Sequence, residues 1–173
     1  MTDEFTPAGD DTPIAVSIPQ LDEAAREAAQ ERQTKLLKPP GSLGRLESMA
    51  VEIAAMQATP TPSVDPAVLL TLAADHGVTS EGVSAYPASV TAAMVDAVDN
   101  GDAAINALAG ATEITPHVVD MGVAGDVPAS VIDHHIADGT ANMAVKPAMT
   151  AAQAQQSIAA GRELVADQAA EAG

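Results

Sequence analysis

The chain has 173 residues and no cysteine, which excludes a disulfide framework and thiolate metal sites. Seven basic side chains stand against 24 acidic ones, a formal net charge of −17, and such a surface argues against nucleic acid and anionic membranes as partners. It also repels phosphorylated ligands wherever helix N-termini or buried cations do not overcome the field. Phe5 and Tyr86 are the only aromatic residues, so the core must be built from Ala, Val, Ile, Leu and Met.

In chain order, residues 1–19 are rich in Asp, Thr, Pro and Gly and read as a disordered leader. The apolar stretch Ile14 to Ile18 is too short for a signal peptide, and no run reaches transmembrane length, so a cytoplasmic protein is expected. Residues 20–58 are predicted to form a small helical subdomain. Its first helix covers Gln20 to Leu37 and stops at Pro39-Pro40. Ser42 is expected to cap the second helix, with Leu43, Leu46, Ala50, Ile53 and Ala54 on its buried face. Thr59-Pro60-Thr61-Pro62 reads as a linker.

Residues 63–173 carry an α/β pattern. The apolar run Ala67 to Ala74 predicts a buried strand, and Pro87 to Val98 a helix ended by Asn100-Gly101. A second helix follows over Asp102 to Ala109, then a strand within Glu113 to Val123. This order implies a right-handed parallel crossover. Ile132 to Ile136 is a further short strand, and Thr150 with Gln153 is a capping-box pattern opening a helix to about Ala170. The fold class is therefore α/β: an incomplete doubly wound, mainly parallel sheet with flanking helices, plus the N-terminal helical subdomain.

The densest chemistry follows the first strand, at Asp75-His76-Gly77, where open α/β sheets bind ligands. Two readings stand on the residues alone. In one, Asp75 or His76 faces a ligand and Gly77 lets the backbone pass close. In the other, Asp75 caps the loop's amides and His76 hydrogen-bonds across a dimer or within the core. Tyr86-Pro87, with Met94 two turns on, offers a flat face and an adaptable thioether suited to an aromatic ring, or ordinary packing at a helix start. Lys38 to Glu47 lacks Walker A spacing and reads as a structural joint, in which Arg45 and Glu47 tie the helices. Asp120 ends a strand without a dinucleotide fingerprint, as a ribose or loop anchor or a buried cap. Asp133-His134-His135 places no third metal ligand, so no metal is expected there.

The blocks Lys38-Pro-Pro-Gly-Ser-Leu-Gly-Arg-Leu-Glu47, Ala73 to Asn106 and Gly139 to Thr150 together resemble the nicotinate-nucleotide–dimethylbenzimidazole phosphoribosyltransferases. The resemblance runs from about Leu21 to the last residue, where that family's chains are about half finished. It implies a transfer of phosphoribose from nicotinate mononucleotide to 5,6-dimethylbenzimidazole, giving α-ribazole 5′-phosphate in cobalamin biosynthesis, without a cofactor. It implies Tyr86, Pro87 and Met94 as ring-pocket wall, with Asp75, His76, Gly77 and Asn142 also on the substrate side, and a homodimer when complete. Two positions depart from the family pattern: Lys146 stands for a glycine, and Asp102 interrupts a glycine pair. The family's general base, a late glutamate, and its Gly-Glu-x-Gly-x-x-Asn-Thr-Thr phosphate loop do not occur in these residues, so no catalytic residue is assigned and this chain alone is expected to be inactive. The rivals are a non-enzymatic, truncated or partner-dependent binding module pairing through an open sheet edge and, less well supported, a metal hydrolase using Asp75, His76, Asp133 and His134.

Overall fold

The computed structural model describes residues 18–172. The predicted leader falls almost wholly outside them. Two compact units divide between Asp65 and Pro66.

The first unit is a helix pair, α1 (Glu23–Lys35) and α2 (Arg45–Gln57). Asp22 caps α1, its Oδ1 accepting from Ala25 N at 2.8 Å. The helices meet through small residues, Ala29 of α1 against Val51 and Ala54 of α2. The expected capping of α2 by Ser42 does not occur. Gly44, at φ +55°, is the N-cap, and Glu47 accepts from Leu43 N at 3.2 Å instead. Glu47 also pairs with Lys38 at 2.7 Å, so Lys38, not Arg45, is its partner in the joint. This lowers the Glu47 carboxyl below the usual range, through the Lys38 bond first and the Leu43 amide next. Arg26 bridges Glu23 of its own helix and Glu52 of α2.

The buried face of α2 is Val51, Ala54 and Ala55, while Leu43 and Leu46 are exposed. The helix is apolar on more than one side, so periodicity alone cannot choose the seam. The alanines of α1 favour the stripe of smallest side chains, because these let the two backbones approach.

The second unit is a parallel three-stranded sheet flanked by helices: β1 (Leu69–Ala74), α3 (Val90–Asp99), α4 (Ala104–Gly110), β2 (Pro116–Gly122), β3 (Ile132–Asp133) and α5 (Ala151–Ala172). The strand order is β1-β2-β3. Leu69 pairs with Pro116 and Ala73 with Asp120, after which the register slips, so that Ala74 faces Gly122. This bulge sits at the carboxyl end of the pair, where it re-aims the chain leaving β1. The third strand is shorter than expected, pairing only Ile132 with Val119 and Asp133 with Asp120. Beyond it His134 N and Ile136 N still bond to Asp120 O and Met121 O, and His135 Nδ1 lies 2.9 Å from Asp120 Oδ2.

The core of this unit is valine: Val95 and Val98 of α3, Val118 of β2, and Val123 and Val131 beyond it. β-Branched side chains pack well on a pleated surface, which supplies density without aromatic rings. α3 starts at Val90 rather than Pro87; a turn comes first, with Val90 N bonded to Pro87 O at 3.0 Å. The Asn106 side-chain amide joins the two crossover helices, accepting from Ala103 N at 3.1 Å and donating to Val98 O at 2.9 Å. Thr150 and Gln153 exchange the reciprocal bonds of a capping box at the head of α5. Among the described residues, no helix is long and apolar enough to cross a membrane.

Candidate active site

The carboxyl ends of β1 and β2 carry the site. Asp75, the residue after β1, is buried. Its Oδ1 accepts from the Thr91 hydroxyl at 2.6 Å and its Oδ2 from Ala124 N at 2.8 Å. Its backbone is held on both sides, N–H to Gly122 O at 2.9 Å and carbonyl from Thr140 N at 3.0 Å. Asp75 thus joins β1 to the first turn of α3 and to the loop after β2. Of the two readings open in the sequence, the carboxylate makes the amide-capping contact.

Gly77 lies against the chain itself. A Cβ there would meet Asn142 N and Thr140 O at 2.6 Å and Ala141 C at 2.7 Å. Its N–H donates to Thr140 O at 3.1 Å, and His76 forms a parallel bridge with Thr140. Gly139 is a second such position, at φ +78°, where a Cβ would press on Asp75 O at 3.0 Å. These glycines let two loop segments lie one on the other.

His76 is exposed and lies between two cavities, both of which it lines. The larger, of about 310 Å³, is lined by His76, Tyr86, Pro87, Thr91 and Met94, together with Thr79 and Ser84. The smaller, of about 190 Å³, is lined by Met121, Ile136, Met149 and the backbone around Gly139. Tyr86 is 71% exposed and Met94 50%, so the larger cavity is an open-faced slot with a ring and a thioether on its walls. Ser84 holds the loop before Tyr86, accepting from Tyr86 N at 3.2 Å and donating to Tyr86 O at 2.9 Å.

Of the seven residues singled out in the sequence, Asp75, His76, Tyr86, Pro87 and Met94 line this one slot. Gly77 and Asn142 do not line it. Asn142 ties the loop 139–149 to the 3₁₀ turn Gly77–Glu81, donating to Ser80 Oγ at 3.0 Å and to Glu81 Oε1 at 2.5 Å. Thr91 joins the wall without belonging to any motif, although it lies one turn before Met94 and therefore on the same helix face. Its link to Asp75, 16 positions upstream, has no signal in spacing. Lys146 and Asp102 are both exposed and neither takes a positive φ, so these departures from the family pattern impose no backbone strain.

Asp120 is the second buried carboxylate. Its Oδ1 accepts from Gly122 N and Val123 N, both at 2.8 Å, and its Oδ2 lies 2.9 Å from His135 Nδ1. Burial pushes this carboxyl up, but the Val123, His135 and Gly122 bonds outweigh it and hold it below the usual range. It is a cap with an imidazole partner. Among the described residues, no group of three or more His, Cys, Asp or Glu side chains could hold a metal ion.

Residues 18–173 match a family model described as phosphoribosyltransferase. The nicotinate-nucleotide–dimethylbenzimidazole phosphoribosyltransferase of Roseiflexus sp. strain RS-1 is 48% identical over 146 residues, 83% of this chain and 41% of the relative. That of Chromobacterium violaceum is 48% identical over 154 residues, 88% of this chain and 44% of the relative. A crystal structure of the enzyme so named from Thermus thermophilus superposes with a TM-score of 0.79 at 40% identity, covering 87% of this chain and 46% of that one. The chain spans less than half the length of these relatives. It belongs to the phosphoribosyltransferase family that includes these enzymes.

Proposed function

We propose that these residues form the ring-binding part of an enzyme that joins nicotinate mononucleotide and 5,6-dimethylbenzimidazole into α-ribazole 5′-phosphate and nicotinate. The observation that carries this reading is the convergence of His76, Tyr86, Pro87 and Met94 on one slot at the carboxyl end of β1. At about 310 Å³ the slot is at the lower end of ligand-pocket sizes, suited to a fused bicyclic ring rather than a whole nucleotide. An apolar ring also avoids the repulsion that a net charge of −17 imposes on a phosphate.

In such a transfer, nicotinate leaves the anomeric carbon while a benzimidazole nitrogen attacks the opposite face, and a carboxylate takes the ring proton. The slot holds the ring in line for that attack. Among the described residues it supplies no free carboxylate base. Asp75 is the one carboxylate among the described residues lining it, and both its oxygens already accept bonds. Glu81 accepts from Asn142 and does not line the slot. The proposed role of these 173 residues alone is therefore binding without turnover, and the complete enzyme is proposed to act as a cytoplasmic homodimer.

Calorimetric titration with dimethylbenzimidazole tests the slot. Tyr86→Ala should weaken binding by about 1 kcal/mol, roughly fivefold, by removing one ring face. An unchanged affinity in a folded variant removes Tyr86 from the ring wall. Chromatography after incubation with both substrates should show no α-ribazole phosphate, and product formed in a preparation free of host enzyme would place the base within these residues.

A further inference from the structure

His135 stands between two carboxylates. Its Nδ1 lies 2.9 Å from Asp120 Oδ2 and its Nε2 lies 3.1 Å from Asp138 Oδ1. A neutral imidazole carries one N–H and one lone pair, so it satisfies one of these acceptors and turns its lone pair on the other. Only the imidazolium donates to both. The carboxylates come from two places, Asp120 from the end of β2 and Asp138 from the loop beyond β3. A third, Asp133 of β3, accepts from the His135 backbone N–H at 3.0 Å and adds to the same negative field.

The imidazole is anchored in a segment with a specific task. His134 N donates to Asp120 O at 3.0 Å, Ile136 N to Met121 O at 3.3 Å and Thr140 N to Asp75 O at 3.0 Å. Between those bonds, Ile136, Ala137, Gly139 and Thr140 form one wall of the 190 Å³ cavity beside His76. The strand bonding that holds β3 to β2 ends at Asp133. His135 is thus the side-chain fastener of a segment whose regular strand pairing has ended and whose backbone is held at His134, Ile136 and Thr140.

We propose that Asp120, His135 and Asp138 form a proton-operated latch, in which the imidazolium holds residues 134–140 against the carboxyl ends of β1 and β2. Deprotonation removes the bond to Asp138 and leaves a lone pair facing that carboxylate, so the segment loosens and the wall of the cavity with it. The direction of titration agrees with the geometry. The Asp120 bond, and after it the Asp138 bond, raise the imidazole above its ordinary value of 6.5.

A raised folded-state value means that the latch contributes fully below the unfolded value of 6.5 and is lost as pH rises through the folded one. Asp120, held below its ordinary 3.8, contributes oppositely: its share is present above that value and is lost as pH falls through the folded one. The latch is therefore closed in the window between the two titrations and opens on the alkaline side. Asp138 is 86% exposed, so its share is screened by salt.

Amide exchange on the 173-residue chain, with each rate corrected for the intrinsic effect of pH, tests the latch between about pH 5.5 and 9. The expected result is a fall in protection at His134, Ile136 and Thr140, about tenfold for each unit by which the imidazole is raised. Val118 and Val119, at the centre of β2, should hold steady and serve as the control for global opening. His135→Gln should abolish the step. Asp138→Asn, an exposed change, should shrink it and lower the His135 ring titration followed by NMR. If His135→Gln does not fold, the Asp138→Asn comparison decides alone. Protection that stays flat across the range, a step that survives His135→Gln, or a ring titrating at or below its ordinary 6.5 overturns the proposal.

Discussion

Gly77→Ala should be strongly damaging for a single methyl addition, lowering stability by about 3 kcal/mol or more. The added carbon would stand 2.6 Å from Thr140 O and Asn142 N, and 2.7 Å from Ala141 C. All three are backbone atoms, so no side-chain rotation relieves the contact. The segment 140–142 has to move away. Its retreat stretches Gly77 N to Thr140 O, now 3.1 Å, and Thr140 N to Asp75 O, now 3.0 Å. Overpacking of this kind costs about 1–3 kcal/mol, and each weakened bond adds about 1 kcal/mol. In a chain of this size the midpoint of thermal unfolding should fall by roughly 6–12 °C. Circular dichroism melting reads this directly, and a midpoint within about 2 °C of the parent would show that 140–142 yields freely. Gly82, which also follows the strand but has open space around its missing Cβ, is the internal comparison, although its φ of +73° adds its own strain.

Much of this arrangement is legible in the sequence. β1, the two crossover helices, β2 and the capping box of α5 all announce themselves by apolar runs, glycine stops or paired polar residues. The slot residues Tyr86, Pro87 and Met94 belong to one short stretch, so the turn before α3 and the first turns of the helix bring them to one wall. What hides is contact between distant segments. Nothing in the spacing says that Asp75 meets Ala124, 49 positions on, or that Gly77 backs onto residues 140–142. A glycine after a strand signals close approach, but whether to a ligand or to the chain's own backbone is a property of the packed loops. The seam of α2 hides for another reason. Leu43, Leu46 and Met49 are as apolar as Val51 and Ala54, and only the alanine surface of α1 decides between them. Nor does the spacing say that His135, two residues beyond β3, meets Asp120, 15 positions upstream.

Replacement of Asp75 should separate its clasping role from any direct role in binding the ring. Asp75→Ala takes the acceptor from the Ala124 N–H, whose residue is exposed, and frees the Thr91 hydroxyl. Each of the two lost bonds costs about 1 kcal/mol, and the lost packing of the buried carboxyl adds to it, so about 2–3 kcal/mol is expected. Asp75→Asn should behave differently. The amide oxygen can serve the Ala124 N–H, and the amide nitrogen can donate to Thr91, whose hydroxyl accepts as readily as it donates. That variant should lose about 1 kcal/mol or less, and Thr91→Val, which removes a single partner, should fall between the two. Ring affinity should follow the same order. Thr91 and Met94 both wall the slot from α3, and α3 is held to β1 through the Asp75 bond. Denaturant titration paired with dimethylbenzimidazole calorimetry on the three variants checks both halves. If Asp75→Asn keeps its stability but loses ring binding altogether, the carboxylate itself engages the ligand and the clasp is not its whole task. If all three variants match the parent in both measurements, the link between β1 and α3 is carried by the valine core instead.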